Sequence, residues 1–195
     1  MSRLASKDRA TSETQVQITL NLDGAGQATV ATGIGFFDHM LILFAKHGLF
    51  DLTVQAEGDL YVDGHHTVED TGIVLGQTLA QALDDKRGIR RYGTAFVPMD
   101  EALAMVVVDI SGRPYLHFEA EIPNAQIGGY ASELTEEFLR ALAVQAGLTL
   151  HVRLLSGRNA HHITEAIFKA LGRALAEASR IDERIAGVLS TKGVL

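Results

Sequence analysis

Hydrophobic and polar residues alternate cleanly from Gln15 to Leu22, with Val16, Ile18, Leu20 and Leu22 on one side. A period of two marks a half-buried strand. Asn21-Leu22-Asp23-Gly24-Ala25-Gly26 is a turn signal, so Gln27 to Thr32 is expected to return as a second strand in a hairpin. Gly33 and Gly35 break the pattern. Phe36 to His47 then reads as a helix stopped by Gly48. Asp51 to Ala56 is a short strand, and Thr67 to Leu83 is a second apolar-periodic helix. The same order recurs in the second half. Met105 to Ile110 and Tyr115 to Ile122 read as strands, and Ala131 to Ala146 as a helix stopped by Gly147. Leu148 to Leu155 is a strand and Ile163 to Ala178 a helix. The pattern predicts an α+β fold of two tandem β-β-α-β-α repeats, residues 1–95 and 96–195. Each repeat is expected to form a sheet with two helices on one face, the helices packing between the sheets.

The last helix of each repeat opens on the same device. The first is His65-His66-Thr67-Val68-Glu69 and the second His161-His162-Ile163-Thr164-Glu165. Positions i and i+4 share a helix face, which pairs His65 with Glu69 and His161 with Glu165. Adjacent histidines project about 100° apart, because a helix has about 3.6 residues per turn. Each motif therefore suits ligands for two different metal ions better than for one. His39 precedes His65 by 26 residues, and its repeat counterpart Glu137 precedes His161 by 24. Imidazole and carboxylate without sulfur suit Mn, Fe, Zn or Ni rather than Ca or Mg. The candidate ligands are His39, His65, His66, Glu69, His161, His162 and Glu165, with Glu137 as a possible eighth. His47, His117 and His151 fit ordinary helix-end and strand positions.

A second chemical theme is anionic. Lys86 to Arg91 is a compact basic cluster, Arg113 lies in a Gly-Arg-Pro turn, and Ser190-Thr191-Lys192-Gly193 lies near the C-terminus. Guanidinium, ammonium, hydroxyl and backbone N–H groups together suit phosphate. Arg87 and Arg90 read as solvated charges. No Walker-type loop, dinucleotide fingerprint or Gly-x-Ser-x-Gly elbow occurs.

Composition narrows the class. Hydrophobic residues make up 47% of 195, enough for a packed core, and the absence of cysteine excludes disulfides and thiolate chemistry. A net charge of −7 argues against a nucleic-acid surface. Met1 to Glu13 lacks an apolar signal core, and no run approaches the length of a membrane span. A soluble cytoplasmic protein is expected, with no membrane or nucleic-acid partner.

The motifs resemble those of the imidazoleglycerol-phosphate dehydratase family of histidine biosynthesis. They are Phe37-Asp38-His39-Met40-Leu41, Gly64-His65-His66-Thr67-Val68-Glu69-Asp70 and Gly88-Ile89-Arg90-Arg91-Tyr92-Gly93. Met99-Asp100-Glu101-Ala102-Leu103, Asp109-Ile110-Ser111-Gly112-Arg113-Pro114-Tyr115 and Asn159-Ala160-His161-His162-Ile163-Thr164-Glu165-Ala166 follow in order. Ser190-Thr191-Lys192-Gly193-Val194-Leu195 completes the series. The resemblance runs from about Glu13 onward and, with no added phosphatase segment, implies the single-function form. It implies a homo-oligomer of 24 subunits and two Mn ions per active site between subunits, held by the eight candidates above. Many family members carry histidine where this chain has Glu137, and a carboxylate there can also ligate manganese. It assigns the substrate phosphate to Arg91, Arg113, Ser190 and Lys192, and a substrate contact to Glu13. The implied reaction removes water from imidazole glycerol phosphate to give imidazole acetol phosphate. The hydrogen lost sits on carbon beside the imidazole, so ring activation by metal and a carboxylate base are both needed. Glu165 and Glu13 are the expected bases.

Two other functions remain open on the residues alone. A dinuclear phosphohydrolase would favour Asp-bridged metals, which these histidine-rich motifs lack. A non-catalytic metal-stapled oligomer would leave Arg91, Arg113 and Lys192 without a purpose.

Overall fold

The computed structural model describes residues 3–195. The first half contains β1 (Leu4–Ala10), β2 (Thr14–Asn21), β3 (Ala28–Ala31), α1 (Gly35–Gly48), β4 (Asp51–Gly58) and α2 (His65–Leu83). The second contains β5 (Tyr92–Met99), β6 (Ala102–Asp109), β7 (Tyr115–Glu119), the short β8 (Gln126–Ile127) and β9 (Tyr130–Ala131), α3 (Leu134–Ala146), β10 (Thr149–Ser156) and α4 (Ala160–Ser179). The α+β class and the two repeated halves hold. Each half also carries a leading strand ahead of the five expected elements. The second sheet begins at Tyr92, a few residues before the 95/96 boundary.

Both leading strands are weak in the hydrophobic pattern for a physical reason. In β1 only Ala5 is buried. In β5 the inward residues are Gly93, Ala95 and Val97, small because α4 lies against them. A Cβ on Gly93 would stand 1.9 Å from the carbonyl oxygen of Ala174.

The two sheets have matching orders, β1-β2-β4-β3 and β5-β6-β10-β7. The expected β2–β3 hairpin does not form, since β4 inserts between them and pairs parallel with β3. Asp51, the first residue of β4, holds the intervening loop through the amides of Ala25 (2.9 Å) and Gln27 (3.1 Å). α1 and α2 cover the first sheet, α3 and α4 the second, and the layers meet where α1 crosses α4 and α2 crosses α3. Fully buried Phe37, Phe44, Phe138 and Phe168 fill this central layer.

Pseudo-equivalent glycines set the helix spacing. A Cβ on Gly76 of α2 would meet the Leu142 carbonyl oxygen at 2.8 Å, and one on Gly172 of α4 the Phe44 oxygen at 2.4 Å. Each lies ten residues after the second histidine of its motif. Gly48 has the same role on α1, lying 3.0 Å (as a Cβ) from the Gly172 oxygen. The left-handed stop of α1 therefore falls one residue later than expected, at Leu49 (φ 56°), whereas Gly147 (φ 66°) ends α3 as the pattern predicts.

Candidate metal centre and phosphate cleft

The crossing of α1 and α4 brings three distant side chains together. Asn159 caps α4, accepting from the amides of His161 (2.9 Å) and His162 (3.3 Å), and so fixes both histidines in its first turn. His161 Nε2 lies 3.3 Å from Glu165 Oε1, the expected i,i+4 pair. His39 Nε2 reaches the same oxygen from α1 at 2.9 Å. Among the described residues these three form the one group of ligand atoms lying within 4.8 Å of one another.

Glu165 is poised as an anion. Its side chain is 7% exposed, and its other oxygen accepts a 2.6 Å bond from Lys169 one turn along. Burial works to raise its pKa, but the Lys169 and His39 hydrogen bonds outweigh it and hold the carboxyl down at about 2. The set contains two imidazole nitrogens and one ionised carboxylate, converging near the surface. That chemistry fits a borderline divalent cation such as manganese or zinc.

The second histidine of each motif turns elsewhere, as the 100° divergence requires. The ring planes within the pairs stand at 87° (His65–His66) and 80° (His161–His162). His66 Nδ1 lies 3.0 Å from Asp59, and His162 Nδ1 lies 2.7 Å from Glu101. The Asp59 bond is the main force raising the pKa of His66, and the Glu101 bond does the same for His162. Glu101 is itself held down to about 2, chiefly by His162 and then by the Asn159 amide. These contacts engage Nδ1 of both rings and leave Nε2 as the nitrogen that could take a metal, the arrangement common behind metal-bound histidine. Glu13 Oε2 stands 4.0 Å from His66 Nδ1, with its side chain 53% exposed.

The repeat-related group is more open. His65 lines a cavity of ≈ 390 Å³ with Gly33, Ile34, Leu60, Asp63 and Glu133. Glu69 and Glu137 are half-buried on α2 and α3, but they do not close with His65 into a group as tight as the first. Glu137 stands in the place of His39, so this group offers two carboxylates where the first has one.

The four phosphate candidates do converge. Arg91, Arg113, Ser190 and Lys192 line one cleft of ≈ 590 Å³ with Val188, Leu189, Thr191 and Val194. Arg91 is 11% exposed and grips Asp109 through Nε (2.7 Å) and Nη2 (3.1 Å) while Nη1 donates to the Leu189 carbonyl. It therefore builds the wall of the cleft. Arg113, 64% exposed, is the freer guanidinium.

A family model described as imidazoleglycerol-phosphate dehydratase matches residues 32–175, a span holding both His-His-x-x-Glu motifs. The chain belongs to the imidazoleglycerol-phosphate dehydratase family. It is thereby a dehydratase, a lyase of histidine biosynthesis. The imidazoleglycerol-phosphate dehydratase of Acetivibrio thermocellus is 60% identical over 195 residues, covering 100% of both chains. That of Clostridium botulinum (strain Langeland) is 61% identical over 187 residues, covering 96% of this chain and 95% of its own. The crystal structure of the Staphylococcus aureus dehydratase superposes with a TM-score of 0.83 at 45% identity, covering 92% of this chain and 99% of that one. The Pyrococcus furiosus enzyme, solved in complex with (S)-C348, gives 0.84 at 40% identity over 97% and 100%.

Within this dehydratase, sequence reasoning missed Asp59, Glu101 and Lys169. Lys169 was legible as the i+4 partner of Glu165. Glu101 lies within Met99-Asp100-Glu101-Ala102-Leu103, whose spacing gives no sign of its contact with His162, and Asp59 meets His66 only because β4 ends beside α2.

Proposed function

We propose that this chain converts imidazole glycerol phosphate to imidazole acetol phosphate, using two Mn2+ ions per active site within a cytoplasmic homo-oligomer of 24 subunits. The convergence of His39 Nε2, His161 Nε2 and Glu165 Oε1 within 4.8 Å carries the metal-dependent part of this reading. His65, His66, Glu69, Glu137 and His162 complete the proposed ligand set. Bound there, manganese supplies Lewis acidity toward the imidazole ring and the departing hydroxyl. The chain's own residues do the rest. Arg113, Lys192 and Ser190 bind the phosphate, and Arg91 shapes their cleft. Glu13 and Glu165 are the proposed proton acceptors. Glu13 is favoured, because its carboxylate is 53% exposed and stands 4.0 Å from His66 Nδ1, while Glu165 is held by Lys169, His39 and His161.

A second copy is needed to complete the site. The Arg91 amide bonds the Ala178 carbonyl, thirteen residues along α4 from Glu165. At a rise of about 1.5 Å per residue that separation is roughly 20 Å. The three-carbon chain between ring and phosphate is far too short to bridge it, so the phosphate cleft of one chain serves the histidine cluster of another. The outer face of the second sheet supports this. It presents Tyr92, Phe96 and Tyr115, each more than half exposed, beside the half-buried Met105 and Val107. The corresponding face of the first sheet presents Gln15, Gln17, Thr53 and Gln55. The apolar face ends at Arg91 and Asp109, beside the cleft that needs a partner. No helix among the described residues is long and apolar enough to cross a membrane.

Incubating the purified protein with Mn2+ and imidazole glycerol phosphate, and following the ketone product, tests the reaction. Turnover that needs the metal supports the reading. No product from protein with bound Mn2+ overturns it. Light scattering tests the assembly, and a monomer in the active preparation contradicts the shared site.

A further inference from the structure

The two halves place a carboxylate on the second histidine by different routes. Glu101 lies in the β5–β6 turn, and Glu13 in the corresponding β1–β2 turn. Glu101 Oε2 is 2.7 Å from His162 Nδ1, whereas Glu13 Oε2 is 4.0 Å from His66 Nδ1. The first half has Asp59 instead, 3.0 Å from His66 Nδ1. Asp59 directly follows β4, whose last residue, Gly58, pairs with Thr14. Its counterpart after β10 is Gly157, following Ser156, which pairs with Leu103. Gly157 leaves no room for a side chain. An added Cβ would stand 2.8 Å from Ile163 Cγ1 and 3.0 Å from Ala102 Cβ, and φ is +145°. The second half cannot use an aspartate there, and Glu101 fills the position from the turn.

We propose that Asp59 and Glu101 are positioning residues with one task, each accepting from Nδ1–H so that Nε2 of His66 or His162 faces the metal, and that Asp59 thereby releases Glu13 for proton transfer. A carboxylate on Nδ1 fixes that nitrogen as donor and leaves the lone pair on Nε2. In the second half an opposing carboxylate is close by, with Asp100 Oδ2 3.7 Å from His162 Nε2. Without Glu101, Asp100 draws the proton to the wrong nitrogen. In the first half, removal of Asp59 leaves Glu13 within reach to replace it. The two losses therefore have different consequences. Losing Glu101 weakens metal binding. Losing Asp59 spares metal binding but takes Glu13 away from the substrate.

This inference rests on the metal-binding reading, and its test separates the two. Histidine tautomers are read by 15N NMR on the metal-free full-length assembly, Mn2+ affinity by chelator competition, and turnover alongside. In the unaltered chain, at an alkaline pH where both rings are neutral, Nδ1–H tautomers at His66 and His162 are expected, whether or not manganese binds. Glu101→Ala is expected to shift His162 toward Nε2–H and weaken Mn2+ about 10–100-fold. Glu101→Gln, whose carbonyl still accepts, restores both. Asp59→Ala is expected to hold Mn2+ affinity within about threefold while kcat falls about 10²-fold, the low end for loss of a general base. Adding Glu13→Gln to Asp59→Ala then lowers Mn2+ affinity as well. Equal losses in Glu101→Ala and Glu101→Gln, or a double variant that binds Mn2+ as well as Asp59→Ala, overturn the proposal. If the unaltered chain shows both tautomers and binds no Mn2+, the metal reading fails and the positioning geometry stands.

Discussion

His39 on α1 and Glu165 on α4 are 126 residues apart in sequence and 2.9 Å apart in space. The contact exists because Gly48 and Gly172 let the two helices approach backbone to backbone. It joins one ligand from each half of the chain, so neither half alone forms the group. Glu165→Gln keeps the shape and removes the charge. It is expected to lose tight Mn2+ binding and to lower kcat by about 10²–10⁴-fold, with the fold retained. Electron paramagnetic resonance of bound Mn2+, with turnover measured in parallel, checks this.

The two arginines of the phosphate cleft are expected to behave differently. Arg113 is the exposed one, and Arg113→Ala should raise KM about 10–100-fold with little change in kcat, matching loss of roughly 1.5–3 kcal/mol from a charged hydrogen bond. Arg91 holds Asp109 and the Leu189 carbonyl with its planar fork. Lysine cannot reproduce that geometry. Arg91→Lys should therefore loosen residues 188–192, read as faster amide exchange, besides weakening the substrate.

Acid should release the C-terminal segment before the core. Asp182 accepts from the Arg184 side chain and amide, which together hold its carboxyl well below the usual aspartate range. A depressed pKa in the folded state means the stabilisation is complete above about 3.8 and is lost as pH falls below it. Amide exchange in residues 182–189 should rise below about pH 3.8 while the helices stay protected. Asp182→Asn should show the same loosening at neutral pH, and an unchanged Asp182→Asn exchange profile would refute the link.

The helix-spacing glycines should be intolerant of even a methyl group. In Gly172→Ala the new Cβ meets the Phe44 carbonyl, and in Gly76→Ala it meets that of Leu142. Each variant should lose about 1–3 kcal/mol, the usual cost of overpacking. Thermal melts of both should fall, and Gly172→Ala should also weaken Mn2+ by displacing His39 from Glu165.

The sequence exposed what repeats at short range. Helix periodicity, the paired His-His-x-x-Glu motifs and the alternation of β2 and β10 were all readable, because each arises within a few residues. The leading strands were not, because β1 buries one side chain and β5 turns Gly93 and Ala95 inward. The β2–β3 turn signal was real, but Asp51 and β4 decided the pairing from a distance. At the site, Glu165 with His161 followed from helical spacing. Asp59 and Glu101 did not, since their contacts depend on where a strand end and a hairpin turn come to rest against a helix.

Manganese is proposed to sit where the two halves meet. Anomalous diffraction at the manganese edge, from crystals grown with Mn2+ and a substrate analogue, addresses it directly. The expected result is a peak contacting His39 Nε2, His161 Nε2 and Glu165 Oε1, with the analogue's phosphate on Arg113 and Lys192 of a neighbouring copy. Manganese bound away from these residues, or a phosphate held by the same chain's cleft, would contradict it.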